Sequence, residues 1–374
     1  MKLLVAFDSF KGSLTSLEAA EAFAEGWQSV DPRAEMRKVA IADGGEGTLC
    51  ALIEAMGGEW REAKTSDPIG RPIVARYGVA NGVAIIESAT ACGLTLLSHA
   101  ERNPLITTTY GLGEIIRSAL DCGYRNFILT LGGSATNDGG VGMLQALGYR
   151  FYDSNGNELK GGGAILQKIA KIECQGAHPA LRDSHFTIAS DVDNPLLDER
   201  GATRIYAPQK GADGAMVEEL ERGMANYAKR VQEAINKDFS NTRGAGAAGG
   251  LGYALLSFMG ATIRPGIDIV IEATGLKELA KDCDLIVTGE GRLDMQTTMG
   301  KAPGGILRIA REMGKRVVAV GGTIDHCKEL DNSDFDALYA TMPEGMSLDR
   351  AMQSEVAKEN LRRTAQQIAK RYTR

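Results

Sequence analysis

An α/β fold of two domains is what this sequence predicts, and three observations carry the prediction. Short apolar runs alternate with amphipathic helical stretches at both ends of the chain, the pattern of a parallel sheet covered by helices. Glycine-rich turns follow the ends of those runs, where open α/β sheets place their ligands. With 374 residues, 44% of them hydrophobic, the chain is long enough for two cores. The expected architecture is a Rossmann-like parallel-sheet domain built from residues 1–62 and 268–374, with a mixed α/β domain, residues 63–267, inserted in it. The active site is expected in the cleft between them.

Taken in order, residues 3–7 are apolar throughout, as buried parallel strands are. Thr15-Ser16-Leu17-Glu18 is a capping box and opens an amphipathic helix over 17–27. Residues 39–42 predict the next strand and 48–56 the next helix. Residues 72–87 predict a β-hairpin turning at Ala80-Asn81-Gly82. A buried strand over 127–131 leads to a helix over 143–147. Gly161-Gly162-Gly163 marks a loop, and 186–189 is an apolar strand. The stretch 218–237 reads as a charged, solvent-facing helix and 251–259 as a helix. The alternation then resumes: strand 285–288, helix 305–313, strand 316–320 and a long helix over 347–372. No fixed-period repeat is present.

Composition excludes several functions. A net charge of −6, with no basic tract or aromatic platform, argues against nucleic-acid binding. No apolar run approaches membrane-spanning length, and Met1-Lys2 leads straight into the first strand, so neither a membrane partner nor a leader is expected. The six cysteines (Cys50, Cys92, Cys122, Cys174, Cys283, Cys327) form no C-x-x-C pair, and there are only four histidines. A zinc site is therefore not expected, whereas reduced thiols in the cytoplasm are.

The most informative segment is Leu131-Gly132-Gly133-Ser134-Ala135-Thr136-Asn137-Asp138-Gly139-Gly140-Val141-Gly142. Its five glycines lie between a predicted strand and a predicted helix. Glycine permits positive φ and close approach of an anion to backbone N–H groups, and a helix N-terminus adds partial positive charge. That chemistry suits phosphate. Three further turns sit at strand ends: Asp8-Ser9-Phe10-Lys11-Gly12-Ser13, Asp43-Gly44-Gly45-Glu46-Gly47-Thr48 and Gly289-Glu290-Gly291-Arg292-Leu293-Asp294. Four turns carrying acids, hydroxyls and cations are more than punctuation.

Other motifs fail on context. Gly244-Ala245-Gly246-Ala247-Ala248-Gly249 has G-x-G-x-x-G spacing, but polar Lys237-Asp238-Phe239-Ser240-Asn241-Thr242-Arg243 precedes it instead of a strand. Close packing or anion approach at a helix start fits it better than dinucleotide binding. Gly300-Lys301-Ala302 lacks the first glycine and the hydroxyl of a P-loop. Protein-kinase signatures and the G-x-S-x-G elbow are missing. His99, His178, His185 and His326 all lie outside the glycine-rich turns, so histidine acid–base chemistry is not expected.

Phosphoryl transfer needs a phosphate cradle, carboxylates for Mg²⁺ and cations on the transferring group. Asp191-Val192-Asp193-Asn194-Pro195 follows the apolar run 186–189 and resembles a Mg²⁺ site. Asp43, Glu46, Glu290 and Asp294 are further carboxylates in such turns, and Lys11, Arg71, Lys210, Arg292 and Lys301 the loop cations.

Together, Asp8 to Ser13, Ala42 to Thr48, Asp67-Pro68-Ile69-Gly70-Arg71-Pro72, Gly132 to Gly142, Asp191 to Leu197, Pro208-Gln209-Lys210-Gly211-Ala212, Gly244 to Gly252 and Thr288 to Asp294 resemble the bacterial glycerate kinase type 1 family. The resemblance runs end to end and in order. It implies ATP-dependent phosphorylation of D-glycerate in sugar-acid and glyoxylate catabolism, with 2-phosphoglycerate favoured over 3-phosphoglycerate, and ATP and Mg²⁺ as cofactors. It also implies two α/β domains. Phosphoryl-transfer chemistry then distributes the roles. Gly132, Gly133, Ser134, Thr136, Asn137 and Asp138 would cradle the nucleotide phosphates. Asp191 and Asp193 would hold Mg²⁺, or one would accept the hydroxyl proton. Lys11 and Arg292 would neutralise the glycerate carboxylate and the developing charge, with Asp294 beside them as a catalytic residue and Ser9 and Arg71 as further substrate contacts. A monomer or small homo-oligomer is expected. The alternatives are a non-catalytic carboxylate sensor, separated from a kinase by substrate-dependent ADP release, and a nicotinamide-dependent dehydrogenase, which the misplaced G-x-G-x-x-G disfavours.

Overall fold

The computed structural model of the chain describes residues 1–45, 47–298 and 301–373. They form two units: Met1–Asp43, Cys50–Met56 and Pro265–Arg374 make the first, Gly44–Leu49 and Gly57–Arg264 the second. Thirteen strands occur among the described residues: β1 Lys2–Phe7, β2 Glu35–Ala40, β3 Glu59–Ser66, β4 Pro72–Ala80, β5 Val83–Glu87, β6 Asn126–Thr130, β7 Arg150–Tyr152, β8 Lys171–Glu173, β9 His185–Ala189, β10 Thr262–Arg264, β11 Leu285–Leu293, β12 Arg316–Ile324 and β13 Ala337–Ala340. The α/β class is borne out.

The first unit is a fully parallel sheet in the order β13-β12-β11-β1-β2. Leu3 to Phe7 are all buried because β1 has neighbours on both edges and helices on its faces. From β1 the chain goes to β2 on one side, while β11, β12 and β13 step away on the other. The β1/β11 boundary is therefore the topological switch point of this sheet, the position at which such folds bind ligands. On one face Phe7, Phe23 and Trp27 pack with Val287, Val318, Leu361 and Ile368. The Thr15/Glu18 capping box closes as expected: Glu18 N–H donates to Thr15 Oγ1 and Thr15 N–H to Glu18 Oε2. It starts the Ser16–Gln28 helix, which packs on the C-terminal Ser354–Tyr372 helix.

Four elements of the first unit differ from expectation. β2 begins at Glu35, because an edge strand tolerates exposed Arg37 and Lys38 and does not announce itself as an apolar run. β11 and β12 continue past residues 288 and 320, pairing Glu290 with Gly321, Arg292 with Thr323 and Leu293 with Ile324. The segment read as a Gly289–Asp294 turn is thus strand through Leu293. The last helix is broken: Leu348–Ala351 precedes Ser354–Tyr372.

The second unit has a six-stranded sheet, β10-β9-β6-β5-β4-β3, parallel from β10 to β5 and antiparallel beyond. The β4/β5 hairpin turns at Asn81 (φ 49°) and Gly82 (φ 78°), the two positive φ values of a type I′ turn. Phe127 and Phe186 stack at 4.6 Å across β6 and β9. The Gly214–Ile235 helix is amphipathic instead of wholly solvent-facing; it buries Leu220, Met224, Tyr227 and Val231. Among the described residues no helix is long and apolar enough to cross a membrane.

At Gly26 the two packed helices of the first unit leave no room for a side chain, since a Cβ would lie 2.3 Å from the Arg362 carbonyl oxygen. Gly26→Val should destabilise the protein by about 1–3 kcal/mol through overpacking, read as a lower thermal midpoint. A melt superimposable on wild type would show that this helix pair is loosely packed.

Candidate functional site

At the switch point of the first sheet lies a pocket of ≈ 560 Å³, lined by Asp8, Ser9, Lys11, Glu290, Arg292, Asp294, Lys301, Asp325 and Asn360 among others. The backbone explains the convergence. Asp8, the first residue past β1, donates its N–H to the Gly289 carbonyl at 2.9 Å, and so ties the β1 loop to β11. Gly289 must be glycine, because a Cβ there would stand 2.2 Å from the Val320 carbonyl oxygen. Phe10 and Leu14 then exchange backbone hydrogen bonds around Gly12, whose φ of 77° closes the loop.

The pocket gathers charges of both signs. Asp8 is 3% exposed; its Oδ1 accepts the Ser9 N–H at 2.6 Å. Burial, with the negative charges of Asp43 and Glu290, pushes its carboxyl up to about 7, against the pull of Lys11. Burial also raises Glu290, opposed by the Thr297 hydroxyl, which donates to Oε1 at 2.8 Å, and by Lys301, whose Nζ is 3.9 Å from Oε2. Lys11 extends into solvent and stands 3.9 Å from Asp43. Arg292 is exposed and ion-paired with Asp325. Asp294 accepts the Gln296 N–H at 2.8 Å at the start of the Met295–Thr298 helix. Ser9, Lys11, Arg292 and Asp294 are thus brought together, with Glu290 and Lys301 beside them. Glu46 and Gly300 lie outside the described residues.

In the second unit the glycine-rich turn follows β6. Gly133 (φ 65°) is exposed and Gly132 partly so, whereas Ser134, Thr136, Asn137 and Asp138 are buried. The side chains of Ser134, Asn137 and Asp138 are hydrogen-bonded within the unit, whereas Thr136 Oγ1 and Asn137 Oδ1 have no partner among the described residues. Asp138 accepts from the Thr109 N–H and hydroxyl and from the N–H groups of Gly140 and Gly142. Asn137 Nδ2 donates to Thr203 Oγ1 at 3.1 Å. The Lys210 ammonium donates to Ser134 Oγ at 2.9 Å and to the Thr136 carbonyl at 2.7 Å. Burial pushes Lys210 down to about 7, against the pull of Asp138. What this turn presents to a ligand is the backbone at Gly132 and Gly133. The Gly244–Gly249 segment packs on it from below: a Cβ on Gly249 would lie 2.1 Å from the Thr136 carbonyl oxygen, and Gly139 N–H donates to the Gly249 carbonyl. Close backbone packing is therefore its structural role.

Asp191 and Asp193 follow β9 and are exposed. Asp193 is ion-paired with Arg200 at 3.1 Å and faces Arg243 at 3.7 Å. No group of three or more His, Cys, Asp or Glu side chains is arranged to hold a metal among the described residues. Arg71 is engaged within its own unit by Asp67, Glu101 and the Leu96 carbonyl. A larger concavity of the second unit, ≈ 790 Å³, is lined by Lys64, Glu114, Arg150 and Lys160 and contains none of the expected site residues. Sequence reasoning passed over Asp8, whose signal was its place directly after β1, and Asn360, which reaches the pocket from the C-terminal helix and has no local signature.

The chain matches the model of the glycerate kinase family over residues 3–373. It is 44% identical to a glycerate kinase of Bacillus subtilis, over 99% of this chain and 97% of that protein. It is 41% identical to a glycerate 2-kinase of Escherichia coli, over 99% and 97%. A crystal structure described as glycerate kinase 2 from Salmonella typhimurium superposes with a TM-score of 0.87 at 40% identity, covering 100% of this chain and 98% of that one.

The Asp8 carboxyl has a stability signature. Its ordinary value is 3.8 and its folded value about 7, so between these limits the native state binds more protons than the unfolded chain. Its stabilising contribution is complete below about pH 4 and is lost as the pH rises through 7. Asp8→Asn removes this dependence. Relative to wild type, the variant should gain up to about 4 kcal/mol between pH 4 and pH 8, measured by denaturant unfolding. A difference that is constant with pH would return Asp8 to the ordinary carboxylate range.

Proposed function

We propose that this chain, which belongs to the glycerate kinase family, transfers the γ-phosphoryl group of ATP to a hydroxyl of D-glycerate, with 2-phosphoglycerate as the favoured product. The observation that carries the reading is the pocket at the β1/β11 switch point, where cations and a buried carboxylate converge on a volume suited to a small hydroxy acid. Lys11 and Arg292 are the groups for the substrate carboxylate and for charge developing on the transferring phosphoryl group. Ser9 offers a hydroxyl to the same substrate. Asp294 acts through the Met295–Thr298 segment that it anchors. Arg71, already engaged by Asp67 and Glu101, supports its own turn. The exposed backbone at Gly132 and Gly133 receives nucleotide phosphate.

Magnesium enters this reading as the counter-ion of ATP. The donor set does not fit a resident ion, because Asp193 is tied to two arginines. Asp191 is the carboxylate we assign to the nucleotide-borne ion, met through its water shell. The six cysteines are free thiols, which supports a reducing, cytoplasmic setting and a place in sugar-acid and glyoxylate catabolism. The direct test is incubation with ATP, Mg²⁺ and D-glycerate, with the product identified by phosphorus NMR. ADP and 2-phosphoglycerate are expected. 3-Phosphoglycerate would move the attack to the other hydroxyl, and no glycerate-dependent ADP would overturn the reading.

Two substitutions probe the two halves of the reaction. Lys11→Ala removes a charge-assisted contact worth about 2–4 kcal/mol and should lower kcat/KM by roughly 30- to 1000-fold. The fold should stand, since the Lys11 side chain is 60% exposed. Activity within twofold of wild type would remove Lys11 from the site. Gly133→Val places a β-branched side chain at φ 65°, where only the Ala89 Cβ lies near, at 3.6 Å. The backbone strain costs about 1–2 kcal/mol, so the thermal midpoint should fall modestly while calorimetric titration with an ATP analogue shows binding lost. Retained affinity would place the phosphates elsewhere.

A further inference from the structure

We infer that Asp8 is the general base of the transfer, receiving the proton of the acceptor hydroxyl as it attacks. The inference rests on the proposed use of the β1/β11 pocket for the hydroxy acid. Four carboxylates line that pocket: Asp8, Glu290, Asp294 and Asp325. Three are spent. Asp325 is ion-paired with Arg292. Glu290 accepts from the Thr297 hydroxyl and faces Lys301. Asp294 is partly exposed and held by the Gln296 N–H. Asp8 is buried, and among the described residues no lysine or arginine ion-pairs with it and its carboxyl accepts one hydrogen bond, from the N–H of its neighbour Ser9.

The surroundings make it a base near neutral pH. Asp43 beyond β2 and Glu290 on β11 oppose a further negative charge, and Lys11 on its own loop only partly offsets them. A carboxylate so placed holds a proton more firmly than one in water, as a base for an alcohol requires. Its position is also fixed, because the Asp8 N–H is bound to Gly289 on the adjacent strand.

The step balances. The acceptor oxygen forms a bond to the γ-phosphorus, and the bond from that phosphorus to the β,γ-bridging oxygen breaks. Its electron pair leaves with ADP. The hydroxyl proton moves to the Asp8 carboxylate and passes to solvent as product departs.

The test is the pH dependence of kcat/KM for D-glycerate, with MgATP saturating, in wild type, Asp8→Asn, Asp8→Glu and Asp43→Asn. Wild type should rise about tenfold per pH unit on the acid side and level near neutrality. Asp8→Asn should lose about 10²- to 10⁴-fold in kcat and the acid limb with it, while glycerate affinity by calorimetry changes only a few fold. Asp8→Glu should recover part of the rate with a displaced limb. Asp43→Asn, which keeps the base and removes a like charge beside it, should shift the limb to lower pH. This arm decides the matter even where an Asp8 variant fails to fold. An unchanged limb in Asp8→Asn, or a rate within threefold of wild type, overturns the inference and leaves the kinase reading standing. A wild type with no glycerate-dependent ADP overturns the reading itself, and the inference with it.

Discussion

The pairing of β1 with β11 is the constraint on which the first unit depends. Leu3 to Phe7 align with Leu285 to Gly289 in parallel register, so a strand from the start of the chain becomes an interior member of a sheet whose other strands come mostly from its end. With this pairing the β1 loop and the far end of β11 must meet at one edge. It also sets the switch point, because the chain departs from the two strands in opposite directions. Glycine at 289 is what lets the sheet close there. Without its close approach to the Val320 carbonyl, β12 could not run alongside far enough to carry Thr323 into the pocket wall.

The second unit solves a different problem. Its glycine-rich turn is held by ionisable groups taken out of water, Asp138 and Lys210. Burial disfavours the charged form of each. Asp138 recovers stability through donors from Thr109, Gly140 and Gly142, and Lys210 through Ser134 and Thr136. A buried polar network of this kind is stabilising only when its donors and acceptors are matched, and once matched it admits few alternative conformations. The matching holds at Asp138 and Lys210 and not along the whole turn, since Thr136 Oγ1 and Asn137 Oδ1 are buried without a hydrogen-bond partner among the described residues.

Much of this was legible in the sequence. The β1 and β6 runs, the Thr15/Glu18 capping box and the Asn81-Gly82 turn are local signals, and each appears within a residue or two of its expected place. What escaped notice was non-local. Edge strand β2 is polar because it is half-exposed, and nothing within 35–38 says which strand it will join. The extension of β11 through Gly289-Glu290-Gly291 depends on β12, so glycines that read as a turn are strand. At the sites, residue type located the loops but not the direction of their side chains. Lys210 looks like a solvated loop cation and is 2% exposed. Asp8 looked like one polar residue in a motif, and its environment is made by Asp43 and Glu290, which arrive from other strands.

The β1/β11 pairing also has a consequence for synthesis. Leu3 and Leu285 are 282 positions apart (285 − 3), and at about 5–20 residues per second a ribosome takes roughly 15–60 s to span that interval. Throughout it, an apolar strand has left the exit tunnel without one of its two neighbours. The inserted unit is almost contiguous from Gly57 to Arg264 and can consolidate during the wait. The newborn chain therefore carries a nearly finished second unit behind a sticky N-terminal strand with one edge open, the kind of segment that holdase chaperones shield. The residues that would meet the hydroxy acid come together last, so a chain cut short in translation would emerge with a folded insert and no reaction centre.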